Sequence, residues 1–180
     1  RARRRAASSV ARALLVRRLA PAATSEFRHA TSRLDVVKRV DTSGWPCTIA
    51  RSVALLGDHW NLLLIRQACL GTRRFDDFQR ELGIGRNILT RRLNQLVDEG
   101  IMRRVEYQDN PPRSEYRLTQ QGREVYPILA VMAAWGERWL SGPEGTPLVL
   151  HHRTCDHDMH AVVVCSECAA PLDVRETSAR

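Results

Sequence analysis

Thiol and imidazole side chains gather near the C-terminal end of the chain at spacings that suit a metal ion. A Cys-x-x-Cys pair, whose two thiolates can reach one tetrahedral Zn²⁺, follows a shorter Cys-x-His segment. The candidate ligands are Cys155, His157, Cys165 and Cys168, with His160 as a substitute for His157. The pattern predicts a zinc-ribbon-like tail with a closed, structural site. A disulfide and free thiols remain open alternatives.

A second set of residues lies on one face of a helix predicted over residues 86–99. Arg, Asn and Thr recur there at positions i, i+1, i+4, i+5 and i+8, opposite a leucine-rich face. The residues are Arg86, Asn87, Thr90, Arg91 and Asn94. Arg and Asn carry planar hydrogen-bonding groups that fit guanine and adenine edges in the major groove of DNA. We therefore predict a face that reads double-stranded DNA, although a solvated helix surface is the alternative.

Two further groups could hold the DNA backbone. Thr72, Arg73 and Arg74 stand at the start of a helix predicted over residues 73–82, where free backbone N–H groups and basic side chains suit a phosphate. Arg113 lies in a predicted turn and is expected to touch the backbone or the minor groove. Residues 72–104 hold eight Arg against five acidic residues, so this segment is locally basic.

These side chains need a specific order of elements to position them. Apolar periodicity predicts helices over residues 47–56, 59–69, 73–82 and 86–99, with Asp58 as an N-cap and a Gly-Ile-Gly turn at 83–85. Alternation then predicts strands over 101–108 and 114–118, joined by a turn with two prolines. A helix over 119–140 follows, in which Pro127 predicts a kink or a late start. The predicted fold is mainly α with a small β-hairpin wing, a winged helix-turn-helix.

Charge is distributed very unevenly along the 180 residues. Residues 1–40 hold eleven of the 28 basic residues and two of the 20 acidic ones, so the remainder is close to neutral. We predict a basic, disordered extension over 1–43, a DNA-binding and dimerisation domain over 44–141, and a linker with the Cys/His tail over 142–180. The extension could be a DNA-binding arm, a transit-peptide-like leader or a mis-assigned start. Because the first residue is not Met, we expect the sequence to begin inside a longer chain.

The sequence also limits the classes of function. It lacks a nucleophile motif, a phosphate-binding Gly-rich loop and a pair of carboxylates at a spacing typical of a catalytic site, so we do not expect an enzyme. No apolar run is long enough to span a bilayer, and we expect a cytoplasmic protein. A small-molecule effector is compatible with the pattern but is not identified by it.

Two other thiols and a pair of tryptophans need interpretation. Cys47 lies at a predicted helix N-terminus, where the helix dipole and free N–H groups favour the thiolate, so it is a redox-sensing candidate. The alternative is a small buried apolar residue, which we expect for Cys69. Trp135 and Trp139, one turn apart, are expected in the core or in a dimer face, and a ligand pocket is the alternative.

Several motifs in order resemble the HxlR-type winged helix-turn-helix regulators. They are Cys47–Ala50, Leu55–Arg66, Arg74–Gln79, Leu89–Leu93, Leu96–Gly100 and Pro111–Thr119. The resemblance covers about residues 45–141 and implies a dimeric transcription regulator, with repression as the expected mode, that binds inverted repeats near promoters. Some relatives are similar in using a cysteine at the position of Cys47 as a sensor, but Thr48 stands where such proteins often have proline. The alternative function is a protein-interaction module that uses the winged helix and the tail without reading DNA.

Overall fold

A computed structural model describes residues 41–142 and 148–179, so residues 1–40 of the extension predicted over 1–43 lie outside the described residues. The helices are α1 (Thr48–Leu56), α2 (His59–Cys69), α3 (Phe75–Leu82), α4 (Arg86–Asp98), α5 (Gln120–Arg123) and α6 (Tyr126–Leu140). The strands are β1 (Met102–Asp109), β2 (Pro112–Leu118), β3 (Leu150–His152) and β4 (His157–Met159). The predicted order of helix, turn, helix and hairpin is confirmed.

The helix-turn-helix consists of α3 and α4 with the short turn between them. Gly83 ends α3 in the left-handed region at φ 61°, a conformation that costs glycine no steric penalty. Gly85 then serves as the N-cap of α4. Helix α2 is central, since α1, α3, α4, α6 and β2 all pack against it.

The wing is the antiparallel hairpin of β1 and β2, which pair from Met102 with Leu118 to Asp109 with Pro112. A bulge interrupts the register between Glu106 and Gln108. A single bridge between Arg74 and Glu115 joins β2 to the residue before α3. The wing is therefore attached at its base to the helix-turn-helix.

The core lies between α2, α3, α4 and the base of the wing. Its fully buried side chains are Leu64, Ile65, Phe78, Ile84, Leu89, Leu93, Leu96, Ile101 and Met102. Ile88 is 38% exposed because it stands between the leucine face and the polar face of α4. Gly122 packs directly against the carbonyl of Ile101, and a Cβ there would lie 2.1 Å from that oxygen.

The last long helix begins late, which is one of the two outcomes expected from Pro127. This proline falls in the first turn of α6, where a missing N–H is tolerated. Much of the apolar surface of α6 is exposed in the part of the chain that the structure describes, and its exposed side chains include Ile128, Val131, Met132, Trp135 and Trp139. We call these five residues the α6 stripe. Of the two places expected for Trp135 and Trp139, the core is wrong for the part of the chain that the structure describes, and a dimer face stays a prediction.

The tail contains the hairpin of β3 and β4 and a second, looser hairpin. In the second hairpin, an isolated antiparallel bridge pairs Val164 with Pro171. His160 Nδ1 lies 3.2 Å from a carboxylate oxygen of Glu137, which connects the tail to α6. Among the described residues, no helix has the length and apolar character needed to cross a membrane.

Candidate nucleic-acid interface

The polar face of α4 is free of contacts that would bury it. Arg86, Asn87, Thr90, Arg91 and Asn94 are all exposed, while Leu89, Leu93 and Leu96 on the opposite face are buried. The predicted division of this helix into a polar and an apolar face is confirmed. Four of the five residues line a shallow surface concavity that continues to Glu99.

Two residues of this face have local contacts that fix their positions. The guanidinium of Arg86 lies over the ring of Phe75, 5.0 Å from its centroid, which places the first turn of α4 against α3. The hydroxyl of Thr90 donates to the carbonyl of Arg86 at 3.0 Å. Both side chains are exposed, so their other hydrogen-bonding groups are accessible from solvent.

Arg104 joins the wing to α4 and was not identified from the sequence. Its Nη2 donates to Asn94 Oδ1 at 3.0 Å and to the Tyr116 hydroxyl at 3.3 Å, and the guanidinium lies over the Tyr116 ring. Strand alternation places residue 104 on the same face as Met102 but does not say which helix that face meets. Arg104 therefore orients Asn94 and adds a positive charge beside the polar face.

The start of α3 differs from the prediction. The helix begins at Phe75 with Arg74 as its N-cap, two residues later than predicted, so Thr72 does not stand at its start. Thr72 is only 5% exposed and its N–H donates to the carbonyl of Gln67, so we leave it out of the proposed interface. Arg73 and Arg74 are exposed, and the Arg74 guanidinium lies 5.0 Å from the centroid of the Tyr107 ring on the wing.

The wing presents its own basic side chains. Arg113 is exposed at the tip, next to the turn at Asn110 and Pro111. Arg103 and Arg117 are cross-strand partners and both are exposed. Glu115 neutralises one of these two charges, since its carboxylate accepts a hydrogen bond from Arg117 Nε at 2.5 Å.

A buried ion pair sets the position of α4. Arg92 Nη2 lies 2.5 Å from Asp58 Oδ2, and the side chains are 15% and 5% exposed. The other oxygen of Asp58 accepts the Trp60 N–H at 3.0 Å, so this aspartate also caps α2 as predicted. Asp58 therefore holds α4 against the start of the central helix.

The predicted metal ligands lie in the tail as separate pairs. Among the described residues, no three or more His, Cys, Asp or Glu side chains come together as a metal site. Cys165 and Cys168 share one turn, and the backbone N–H groups of Cys168 and Glu167 lower the pKa of the Cys165 thiol. His157 Nδ1 lies 2.5 Å from the carbonyl oxygen of Cys155. The zinc site stays a prediction.

The two remaining thiols differ in exposure. Cys47 is exposed at the N-cap position of α1, and its side chain makes no capping hydrogen bond there. Its role as a redox sensor stays a prediction. Cys69 packs at the edge of the core, and burial raises the pKa of its thiol, as expected for an inert residue.

A groove of about 660 Å³ runs between α6 and the β3–β4 hairpin. Arg66 lies on its wall, and its buried Nε has no hydrogen-bond partner among the described residues. Burial lowers the pKa of its guanidinium. This groove is a candidate for the effector site left open by the sequence, and the effector stays a prediction.

A helix-turn-helix with an exposed Arg/Asn/Thr face and a basic wing defines a DNA-binding protein of the winged-helix class. Residues 55–144 match the HxlR-like helix-turn-helix family, and the chain belongs to that family. It is therefore a DNA-binding transcription regulator, as the sequence predicted.

Individual relatives agree with this assignment. The chain is 38% identical over 131 residues to the HTH-type transcriptional regulator Rv3095 of Mycobacterium tuberculosis, which covers 73% of this chain and 83% of the relative. It is 40% identical over 99 residues to the HTH-type regulator sll1512 of Synechocystis, which covers 54% and 73%.

Among solved structures, the chain is similar to PA1607, described as a transcription factor, with 32% identity and a TM-score of 0.72 over 78% of this chain and 99% of PA1607. It is also similar to PA1374 of Pseudomonas aeruginosa, with 33% identity and a TM-score of 0.53 over 74% and 91%.

Proposed function

We propose that the chain acts as a homodimeric repressor that reads an inverted repeat through α4. The exposed Arg/Asn/Thr face of α4, braced by Arg104 and by the Asp58–Arg92 pair, is the observation that carries this proposal. One α4 reads only a short half-site, and two-fold symmetry doubles the sequence that is read. A dimer lying across a promoter would exclude polymerase, which is why we propose repression.

The proposed mode of binding makes a prediction about the preferred DNA. Selection of duplexes from a random pool by the purified full chain is expected to yield an inverted repeat, with half-site centres about 34–36 Å apart or a multiple of that. Transcription from a promoter carrying this repeat should fall when the chain is expressed. An enriched sequence without two-fold symmetry would contradict the dimeric mode of reading, and an unchanged or increased transcript would contradict repression.

The α6 stripe is the proposed dimer surface. Its five residues recur at helical spacing on one side of α6, and Ile49 and Val53 of α1 are also exposed, four residues apart. An exposed apolar stripe along a helix is unusual on a protein that works as a monomer. We propose that a second copy of the chain covers it.

Trp135→Glu tests the dimer surface. In a two-fold interface each substitution counts twice, so we expect the dimer dissociation constant to rise by about a hundredfold or more. Light scattering at micromolar concentration should show a dimer for the parent and a monomer for the variant. Val174→Glu, which alters an exposed apolar residue outside the stripe, should remain dimeric. A monomeric parent, or an equal response of both variants, would exclude this surface.

Arg113 tests the contact made by the wing. Arg113→Ala should weaken binding to every duplex alike and reduce the salt slope by about one unit per chain, because one phosphate contact is lost. Titrations of a selected and a scrambled duplex at several salt concentrations measure both effects. Arg175→Ala, an exposed arginine of the tail, should leave the slope unchanged. An unchanged slope in Arg113→Ala would count against a wing that faces DNA.

A further inference from the structure

Two turns of the tail share the same backbone geometry. In each, two donor residues are separated by two positions: His152 and Cys155 in the first turn, Cys165 and Cys168 in the second. The next residue has a positive φ, 59° at Asp156 and 57° at Ala169. The N–H of that residue donates to the carbonyl of the first donor residue, over 2.9 Å in both turns. Each turn stands at the tip of a hairpin.

The first turn brings its two donor groups together, and the second holds both cysteines within one turn. His152 Nδ1 lies 3.2 Å from Cys155 Sγ. In the second turn the backbone N–H of Glu167 points at Cys165 Sγ over 3.4 Å, an arrangement that favours a thiolate. Adjacent ligands of a tetrahedral Zn²⁺ are about 3.5 Å apart, given the usual Zn–S and Zn–N bond lengths. The first pair can therefore bind as half of such a site with little local rearrangement, and the second pair has the same backbone geometry.

Among the described residues, the ring contacts of the other tail histidines are to oxygen atoms rather than to a cysteine sulfur. His151 lies 3.0 Å from Asp158 and 3.2 Å from Asp156, and His160 lies against Glu137. His157, predicted as a ligand from the sequence, has its Nδ1 at the carbonyl of Cys155. His152 is the histidine whose ring nitrogen already lies beside a cysteine sulfur.

The tail also lacks the usual source of stability. None of residues 148–179 is buried, although they form two hairpins with ordered turns. A segment of this size without a core needs a disulfide, a metal or a partner to remain folded. Its three thiols are all free in this structure.

We propose that His152, Cys155, Cys165 and Cys168 bind one Zn²⁺ within a single chain, as a closed structural site. The two pairs lie apart in the described residues, so binding closes the second hairpin onto the first. The connecting residues 160–163 have no regular secondary structure and can act as the hinge. The three thiols lose their protons as their thiolates bind the metal, and the His152 imidazole binds in its neutral form.

Elemental analysis of the reduced, tag-free full chain tests the proposal. We expect about one equivalent of zinc per chain in the parent. His152→Ala should lower the zinc affinity by at least about a hundredfold, because one of the four ligands is lost and the site is opened. His157→Ala is the matched control and should keep about one equivalent. Cobalt added to the metal-free chain should give the absorption of a tetrahedral thiolate site in the parent and in His157→Ala, but not in His152→Ala.

The DNA-binding domain provides an internal control for folding. His152→Ala should bind its selected duplex like the parent, so loss of zinc with intact DNA binding locates the effect in the tail. Zinc lost from His157→Ala and retained by His152→Ala would overturn the ligand set. A parent that contains less than about a tenth of an equivalent, takes up no cobalt and has all tail thiols titratable would overturn the site itself. Recovery of binding on mixing Cys155→Ser with Cys168→Ser chains would show a site shared between two copies and would also contradict the proposal.

Discussion

Replacing Arg86, Thr90 and Arg91 together by alanine is expected to abolish specific DNA binding while leaving the fold intact. All three side chains are exposed on α4, opposite its buried leucines. Each contact to a base edge contributes about 1–3 kcal/mol, so the loss of three should reduce specific affinity by at least about a hundredfold, towards the non-specific level. Fluorescence anisotropy with a selected and a scrambled duplex at one salt concentration measures the difference.

The matched control for this variant is Arg80→Ala. Arg80 is also an exposed arginine of the helix-turn-helix, but it lies beside Asp77 and Glu81 rather than on the polar face of α4. The control should retain the ratio of specific to non-specific affinity. Both variants should unfold within about 0.5 kcal/mol of the parent per substitution, since these are surface changes. If the triple variant still discriminates between the two duplexes as the parent does, α4 is not the reading helix.

The second large effect is expected at Asp58. Asp58→Ala removes the partner of Arg92 in a site where both side chains are largely buried, and it also removes the N-cap of α2. An unpaired buried charge costs about 3–5 kcal/mol, and a lost cap about 0.5–2 kcal/mol. Urea unfolding should therefore show a loss of at least about 3 kcal/mol in the free energy of unfolding.

Three comparisons separate the causes of this loss. Asp77→Ala breaks an exposed ion pair and should cost less than about 1 kcal/mol. Asp58→Asn keeps a capping oxygen but not the charge, so its loss should be intermediate. Adding Arg92→Met to Asp58→Ala should recover part of the stability, because no unpaired charge then remains. A loss for Asp58→Ala no larger than that for Asp77→Ala would show that the buried pair does not hold α4.

Local sequence determined the elements of the DNA-binding domain and the faces of its reading helix. Leucines at helical spacing define the buried side of α4, so the polar side at Arg86 and Arg91 follows without any knowledge of neighbours. Gly83 and Pro127 set boundaries through their own backbone preferences, and Asp58 capped α2 as expected. These features depend on residues within one or two helical turns of each other, so the local sequence pattern was sufficient to predict them.

Tertiary structure decided what depends on residues far apart in the chain. Arg92 meets Asp58 across 34 positions and Arg104 meets Asn94 across two elements, and no periodicity indicates either contact. Thr72 is a good cap by type, yet its side chain is buried and the helix begins three residues later. The α6 stripe has the spacing of a buried helix face, but its side chains are exposed in the part of the chain that the structure describes. From the sequence spacing we predicted that His157 would act as a ligand together with Cys155. The β3–β4 hairpin instead brings His152 to the Cys155 sulfur, because the two ends of a turn lie close together in space.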